Sequence, residues 1–338
     1  MATSTPPQQP TPERFFNAMN AHQQTEALKT AVELEVFTAI AEGNTTAATI
    51  AKRCQAAERG VRTLCDFLTI HGFLTKDGIE FGLAPDTAVF LDRQSPAYMG
   101  GVLEFMLSPH SREAFTQLTT AVRTGGTALG QGSVVAENPD WVTFARAMMP
   151  LMRMPAQMMA AELRKDGEAH KVLDIAAGHG MYGIGVAKEN PAAQVYAADW
   201  KNVLEVAKAN AQAMGVGERY HLIPGDAFET DFGSDYDLVL IPNFLHHFDV
   251  PSCTTFLKKV RSVLKPGGRA AILEFIPNDD RVSPPMAAAF SMIMLVSTPS
   301  GDAYTFAEIA SMAKHAGFPR VELSPREMGL NRLAIAYA

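Results

Sequence analysis

Cysteine is scarce in this chain: three in 338 residues, Cys54, Cys65 and Cys253, with no Cys-x-x-Cys pair and no Cys/His cluster. That excludes a disulfide framework and a zinc site, and it suits a reducing compartment. Long apolar runs are missing as well. The longest, residues 286–296, contains Ser291 and falls well short of the ~20 residues a bilayer span needs, so it reads as a buried helix. Positive charge is not in excess either. A formal net charge of -7 argues against a nucleic-acid or anionic-membrane partner. Residues 1–12 are a Pro/Gln/Thr stretch with neither a charged nor an apolar leader segment. They are expected to be a disordered tail, and the protein is expected to be cytoplasmic.

What is present is apolar. Hydrophobic residues make up 47% and charged residues 19%, enough for a large core. The length points to about two domains, because single cores rarely grow beyond ~250 residues. Residues 13–108 have a helical pattern. Ala27, Ala31, Leu34, Val36 and Phe37 form one apolar face of a helix expected to end near Glu42-Gly43. Thr45-Thr46 then caps a helix over 47–54, and another covers 58–71, with Val61, Leu64, Cys65 and Leu68 on one face. Asp77-Gly78 between two short apolar stretches signals a two-residue hairpin. Three helices and a hairpin make a winged helix, which invites a DNA-binding reading. Residues 13–90, however, carry 7 Lys/Arg against 10 Asp/Glu, so the basic face that phosphates require is missing. Dimerisation is the better use of this domain.

Residues 109–155 read as helical linker and lid, with Trp141, Phe144, Met148, Met149, Met152, Met154, Met158 and Met159 crowded together. Such a stripe serves equally as core filling or as an adaptable wall for a bulky apolar substrate. After residue 170 strands and helices alternate. Strands are expected at 171–175, 194–198, 220–224, 238–242, 270–275 and 321–323, which means a doubly wound α/β sheet with ligands beyond the carboxyl ends of its strands.

The polar residues fall at those ends. Gly178, Gly180 and Gly183 follow the first strand, and glycines at that spacing let the backbone turn tightly and approach a nucleotide. Asp174 lies inside the strand itself. A carboxylate there repels a dinucleotide's pyrophosphate but attracts the ammonium and sulfonium of S-adenosylmethionine. Asp199, nineteen residues after Gly180, is placed for ribose hydroxyls, with Trp200 against the adenine face. Asp226 suits the adenine amino group; Ala227 leaves room and Phe228 covers the ring. After the fourth strand comes Asn243-Phe-Leu-His246-His247-Phe-Asp249. Asn243 is assigned to the cofactor. A histidine beside a methyl donor can take the proton of an attacking hydroxyl, and composition does not decide between the two. Glu274 is placed to orient the base. Leu264-Lys-Pro-Gly267-Gly268 reads as a structural turn with no ligand.

Taken together, Leu173-Asp-Ile-Ala-Ala-Gly-His-Gly, Ala198-Asp-Trp, Gly225-Asp-Ala-Phe, Leu245-His-His-Phe-Asp and Leu264-Lys-Pro-Gly-Gly resemble the S-adenosylmethionine-dependent small-molecule O-methyltransferases of the caffeic acid and hydroxyindole type, in their bacterial branch. The resemblance runs from about residue 13 to the end. It implies a seven-stranded Rossmann-like sheet behind an N-terminal winged-helix dimerisation domain, a homodimer, S-adenosyl-L-methionine as cofactor and an apolar or aromatic acceptor. By the same resemblance the catalytic histidine is His246, supported by Glu274. A second supporting acid would fall on Ala303, with Asp302 merely adjacent, so Glu274 is left as sole orienter. Phe248 stands where relatives commonly have tryptophan. Phe144 and Met148 match positions flanking the acceptor ring, and Met292 is added to that wall. Competing readings are a C- or N-methyltransferase of the same fold, a nicotinamide oxidoreductase and a cofactor-sensing winged-helix regulator.

Overall fold

Why the first helix stops where it does sets the shape of the N-terminal half. The computed structural model describes residues 10–338, so most of the expected tail lies outside the described residues. The chain divides into two units between Leu103 and Glu104. In the first, a helix over Glu13–Glu33 is followed by a separate one over Val36–Ala41, where a single helix reaching Glu42 was expected. Glu35 breaks it with a left-handed φ of 57°. The break turns Val36, Phe37 and Ile40 into a core shared with Ile50, Val61, Cys65, Leu68, Leu74 and Phe81. Arg53 secures the corner by ion pairs to Glu35 (3.2 Å) and Glu42 (2.6 Å). Thr46 caps the helix Ala47–Arg53 through a box with Thr49. The helix Glu58–Ile70 then leads into strands β1 (Leu74–Asp77) and β2 (Glu80–Leu83). Asp77 pairs with Glu80, so the turn is Gly78-Ile79, one residue later than expected. The first half of the helix Glu13–Glu33 buries nothing within the unit: Phe15, Phe16 and Met19 are 65%, 49% and 51% exposed.

The second unit is built on seven strands: β3 (Lys171–Ile175), β4 (Gln194–Asp199), β5 (Tyr220–Pro224), β6 (Tyr236–Pro242), β7 (Leu264–Glu274), β8 (Arg320–Met328) and β9 (Asn331–Tyr337). Their order is β5-β4-β3-β6-β7-β9-β8, parallel except where β9 pairs antiparallel with β7 and β8. The central strands are covered on both faces, and every residue of β6 is buried. The seventh strand, β9, was absent from the pattern of expected strands.

The Lys-Pro-Gly-Gly segment is an excursion inside β7 rather than a turn ahead of it. Tyr236 pairs with Leu264 and Leu238 already with Arg269, and Gly267 takes a left-handed φ of 78° to absorb the extra residues. The same excursion sends the buried Arg269 guanidinium to the carbonyls of Leu163 (2.7 Å) and Gly167 (3.1 Å). It thereby caps the end of the helix Met149–Leu163, whose last carbonyls attract a cation. Among the described residues no helix is long and apolar enough to cross a membrane, and no cluster of His, Cys, Asp and Glu could hold a metal ion.

Candidate active site

At the carboxyl end of β3 the backbone passes through three left-handed residues, Ala176 (φ 52°), Gly178 (φ 56°) and Gly180 (φ 77°), before the helix Met181–Glu189 begins. A side chain on Gly183 would meet both Asp174 Oδ2 and Val195 at 2.7 Å. One on Gly180 would meet the Tyr220 hydroxyl at 2.7 Å. Glycine is therefore required at both by close approach. Asp174 is fully buried; its Oδ2 accepts from the Gly183 amide at 3.0 Å and its Oδ1 has no partner. Burial pushes this carboxyl well above the ordinary carboxylate range, Gly183 opposes that, and the neighbouring Asp199 adds to it. A buried carboxylate oxygen without a partner calls for a cation or a donor.

Asp199 ends β4 and accepts from the Gly178 amide at 2.8 Å with one oxygen and from its own neighbour Trp200 at 2.7 Å with the other. It thus ties the glycine loop to the start of the helix Lys201–Ala213. Burial raises its carboxyl to about 6 despite these two bonds. Asp226 closes a turn by accepting from the Phe228 amide at 2.7 Å. Phe228 packs among Phe244, Phe248 and Phe256. Lys259, which pattern reading passed over, donates to the carbonyls of Ala227 (2.9 Å) and Phe228 (2.7 Å) and so pins the Asp226 loop. Asn243, at the end of β6, has a left-handed φ of 53° and accepts from Asn331 on β9 at 2.8 Å.

Beyond β6 the chain makes a tight turn, Leu245–His247, directly above the end of β7. Glu274 governs that turn. Its Oε1 accepts from the amides of Phe244 (3.0 Å), Leu245 (2.8 Å) and, more weakly, His246 (3.4 Å), while its Oε2 lies 2.6 Å from His246 Nδ1. A carboxylate that accepts here pairs with Nδ1–H, the tautomer of a neutral ring that leaves Nε2 with its lone pair. Nε2 has no partner among the described residues, yet it is not sealed in. Gly301 packs on this turn so closely that a Cβ would come within 2.1 Å of the His246 carbonyl oxygen.

Aromatic rings surround the two histidines. Phe290 meets the His246 ring edge-on at 4.8 Å and stacks on Phe275 at 4.0 Å. Trp141 meets His247 at 5.3 Å and continues into Phe144 and Phe105. Of the expected wall residues, Phe144 belongs to this group and Met148 is buried at the end of the same helix, Asp140–Ala147. Met292 is 45% exposed, and two residues turn it about 200° around its helix from Phe290, so the structure does not gather it at His246. Phe290 stands there instead, and nothing in the apolar run it belongs to marked it out. Ala303 is buried and supplies no acid; the Asp302 carboxylate is bonded to Arg281 at 3.0 Å and to the Ala303 amide at 2.8 Å.

A glycine cradle with a buried acid at one strand end, and an acid-tethered histidine among aromatic rings at the end of the neighbouring strand, make a transferase site for a small molecule. The matching family models are an O-methyltransferase dimerisation domain over residues 16–91 and an O-methyltransferase domain over residues 115–319. The chain belongs to this O-methyltransferase family. A crystallised Nostoc punctiforme protein classed with the O-methyltransferases is 50% identical, covers 98% of this chain and 100% of its own, and superposes with a TM-score of 0.94. The 3-hydroxy-5-methyl-1-naphthoate 3-O-methyltransferase of Streptomyces sahachiroi is 26% identical over 94% of this chain and 93% of its own length. The S-adenosyl-L-methionine-dependent methyl transferase PigF of a Serratia species is 24% identical over 91% and 90%.

The raised Asp199 carboxyl has a measurable sign. Its folded value of about 6 lies above the ~3.9 of an unfolded chain, so the fold binds this proton more tightly. The resulting stability is present below about pH 4 and is lost as the pH rises through about 6. Relative to Asp199→Ala, the wild type should lose about 2–3 kcal/mol between pH 4 and pH 8, at ~1.4 kcal/mol for each pH unit separating the folded from the unfolded value. Urea unfolding of both proteins across that range checks this; parallel profiles would contradict it.

Proposed function

We propose that the protein methylates a phenolic hydroxyl of an apolar small molecule, with S-adenosylmethionine as donor and His246 as general base. The observation that carries this reading is the His246–Glu274 pair: a histidine whose Nδ1 lies 2.6 Å from a buried carboxylate, whose Nε2 has no partner among the described residues, and which has aromatic rings around it. Support for the donor comes from the cradle. Asp174 Oδ1 lacks a partner in a buried site that would repel a phosphate, and the Serratia relative depends on that same donor. Asp174, Gly178 and Gly180 would hold its amino-acid end, and Asp199, Trp200, Asp226, Ala227, Phe228 and Asn243 its adenosine. When bound, S-adenosylmethionine supplies an electrophilic methyl carbon.

The chain's own part is alignment and proton removal. Phe144 and Met148 border the acceptor; the Phe290 and Trp141 rings favour an aromatic one. His246 Nε2 accepts the proton of the acceptor hydroxyl, and Glu274 stabilises the imidazolium that forms. The other polar groups fix the positions of these two.

Residues 13–108 are read as a winged-helix dimerisation domain and 109–338 as the catalytic domain, with 109–165 as linker and substrate wall. The protein is placed in the cytoplasm and works without nucleic acid or membrane. The exposed Phe15, Phe16 and Met19 give the first helix apolar area that a second copy would cover. Light scattering should therefore give twice 36.5 kDa at micromolar concentration; a monomer would contradict the dimer.

His246→Ala should lower kcat by roughly 10²–10⁴ at pH 7 and leave the affinity for S-adenosylhomocysteine nearly unchanged. The deficit should shrink towards pH ~10, where a phenol ionises unaided. Glu274→Gln should show a smaller loss. Steady-state kinetics with calorimetry checks all three. Full turnover by His246→Ala at pH 7 would favour methylation at an already nucleophilic carbon or nitrogen.

A further inference from the structure

Asn331, Asn243 and Tyr182 form a directed chain of hydrogen bonds beside the glycine cradle. Asn331 Nδ2 donates to Asn243 Oδ1 at 2.8 Å, which leaves the Asn243 Nδ2 group to donate to the Tyr182 hydroxyl. The Tyr182 oxygen is thus engaged as an acceptor, and its own proton has to point elsewhere. What it meets is Met152 Sδ, at 3.4 Å. A thioether is a weak acceptor. A fully buried hydroxyl, oriented by two amides in series, therefore ends on a poor partner. The hydroxyl keeps its proton, because burial first, and then the Asp174 and Glu274 carboxylates, push its ionisation well above that of an ordinary phenol. Tyr182 is a fixed donor in want of a better acceptor.

Its position names that acceptor. Tyr182 lies in the first turn of the helix Met181–Glu189, one residue before the Gly183 amide that holds Asp174. Its hydroxyl is near enough for the carboxylates of both Asp174 and Glu274 to act on it. The cover over it is adaptable. Met152 is 9% exposed, and a methionine side chain has three rotatable bonds, so the sulfur can turn aside. An amino acid carries its carboxylate on the same carbon as its ammonium. A ligand that sets its ammonium at Asp174 therefore brings a carboxylate close by, and that carboxylate needs a donor. Neither Asp174 nor Asp199 has a cationic partner among the described residues, so a neutral donor has to serve. Resting on the donor placement above, we propose that the Tyr182 hydroxyl donates to the carboxylate of the methionine moiety of S-adenosylmethionine, and that Met152 Sδ is the acceptor it gives up. The exchange replaces a weak neutral bond by a charge-assisted one, the stronger kind. The site then reads both charges of the amino-acid end, with Asp174 on the ammonium and Tyr182 on the carboxylate.

Two ligands that differ only in the carboxylate test this. S-adenosylmethionine and its decarboxylated form, S-adenosyl-3-methylthiopropylamine, are titrated by calorimetry into the wild type, Tyr182→Phe and Tyr182→Met. Both variants keep apolar bulk and lose the hydroxyl. Each should bind S-adenosylmethionine about tenfold or more weakly than the wild type, the worth of one hydrogen bond to a charged group. Each should bind the decarboxylated ligand within about twofold of the wild type, since that ligand offers the hydroxyl nothing to lose. Binding of the decarboxylated ligand, with thermal unfolding, also shows that each variant is folded. Equal losses for the two ligands would mean that Tyr182 only shapes the cradle, and would overturn the proposal. So would S-adenosylmethionine affinity that is unchanged in both variants. A wild type that binds neither ligand would overturn the donor assignment along with it.

Discussion

Glu274 places one carboxylate oxygen beneath successive amide groups of the turn after β6 and the other on an imidazole. The turn could otherwise satisfy those amides only with water or with neighbouring strands. With all of them converging on one acid, the backbone of residues 244–246, the tautomer of His246 and the end of β7 are fixed together. The carboxylate is buried, and its bonds to N–H donors offset the cost of enclosing it. Gly301 closes the arrangement from the opposite side, at a distance only glycine permits. The Arg281–Asp302 and Arg281–Glu308 ion pairs anchor the segment that carries it.

The donor side follows a different logic. Asp199 lies close enough to Asp174 to raise its cost of ionisation, and neither acid has a cationic partner among the described residues. A protein that only needed stability would replace one of them with an apolar residue. Keeping both leaves a buried negative potential beside a backbone stripped of side chains, which favours a positively charged ligand over a phosphate. Lys259 is near this region but donates to two carbonyls of the Asp226 loop and lies with its charge over the Phe232 ring, so it stiffens the site without neutralising it.

Strand-end acids and glycines were legible in the sequence because they break an apolar pattern at a fixed place in a βα unit. Asp174, Asp199 and Gly180 are of this kind. His246 was legible only as one of a pair; the carboxylate that distinguishes it lies twenty-eight residues away and depends on the pairing of β6 with β7. Residues that act by packing left no such mark. Phe290 sits in an apolar run where every position looks alike, and its helical phase relative to His246 comes from the tertiary fold. The strand β9 reads as Asn-Arg-Leu-Ala-Ile-Ala-Tyr, buried on both faces in its middle, and so lacks the alternation that identifies a half-exposed strand. Breaks were hidden too. Glu35 is a good helix former, and its left-handed conformation is imposed by the packing of Val36 and Phe37 and by Arg53.

The central claim is that Glu274 fixes the His246 proton on Nδ1 and leaves Nε2 as the base. Nitrogen-15 NMR of histidine-labelled protein at pH 7 tests it most directly, with His246 assigned by the signal lost in His246→Ala. The account predicts a neutral ring with a strongly hydrogen-bonded Nδ1–H and an unprotonated Nε2, and loss of that fixed pattern in Glu274→Gln. A proton on Nε2, or rapid averaging between the two nitrogens in the wild type, would contradict it.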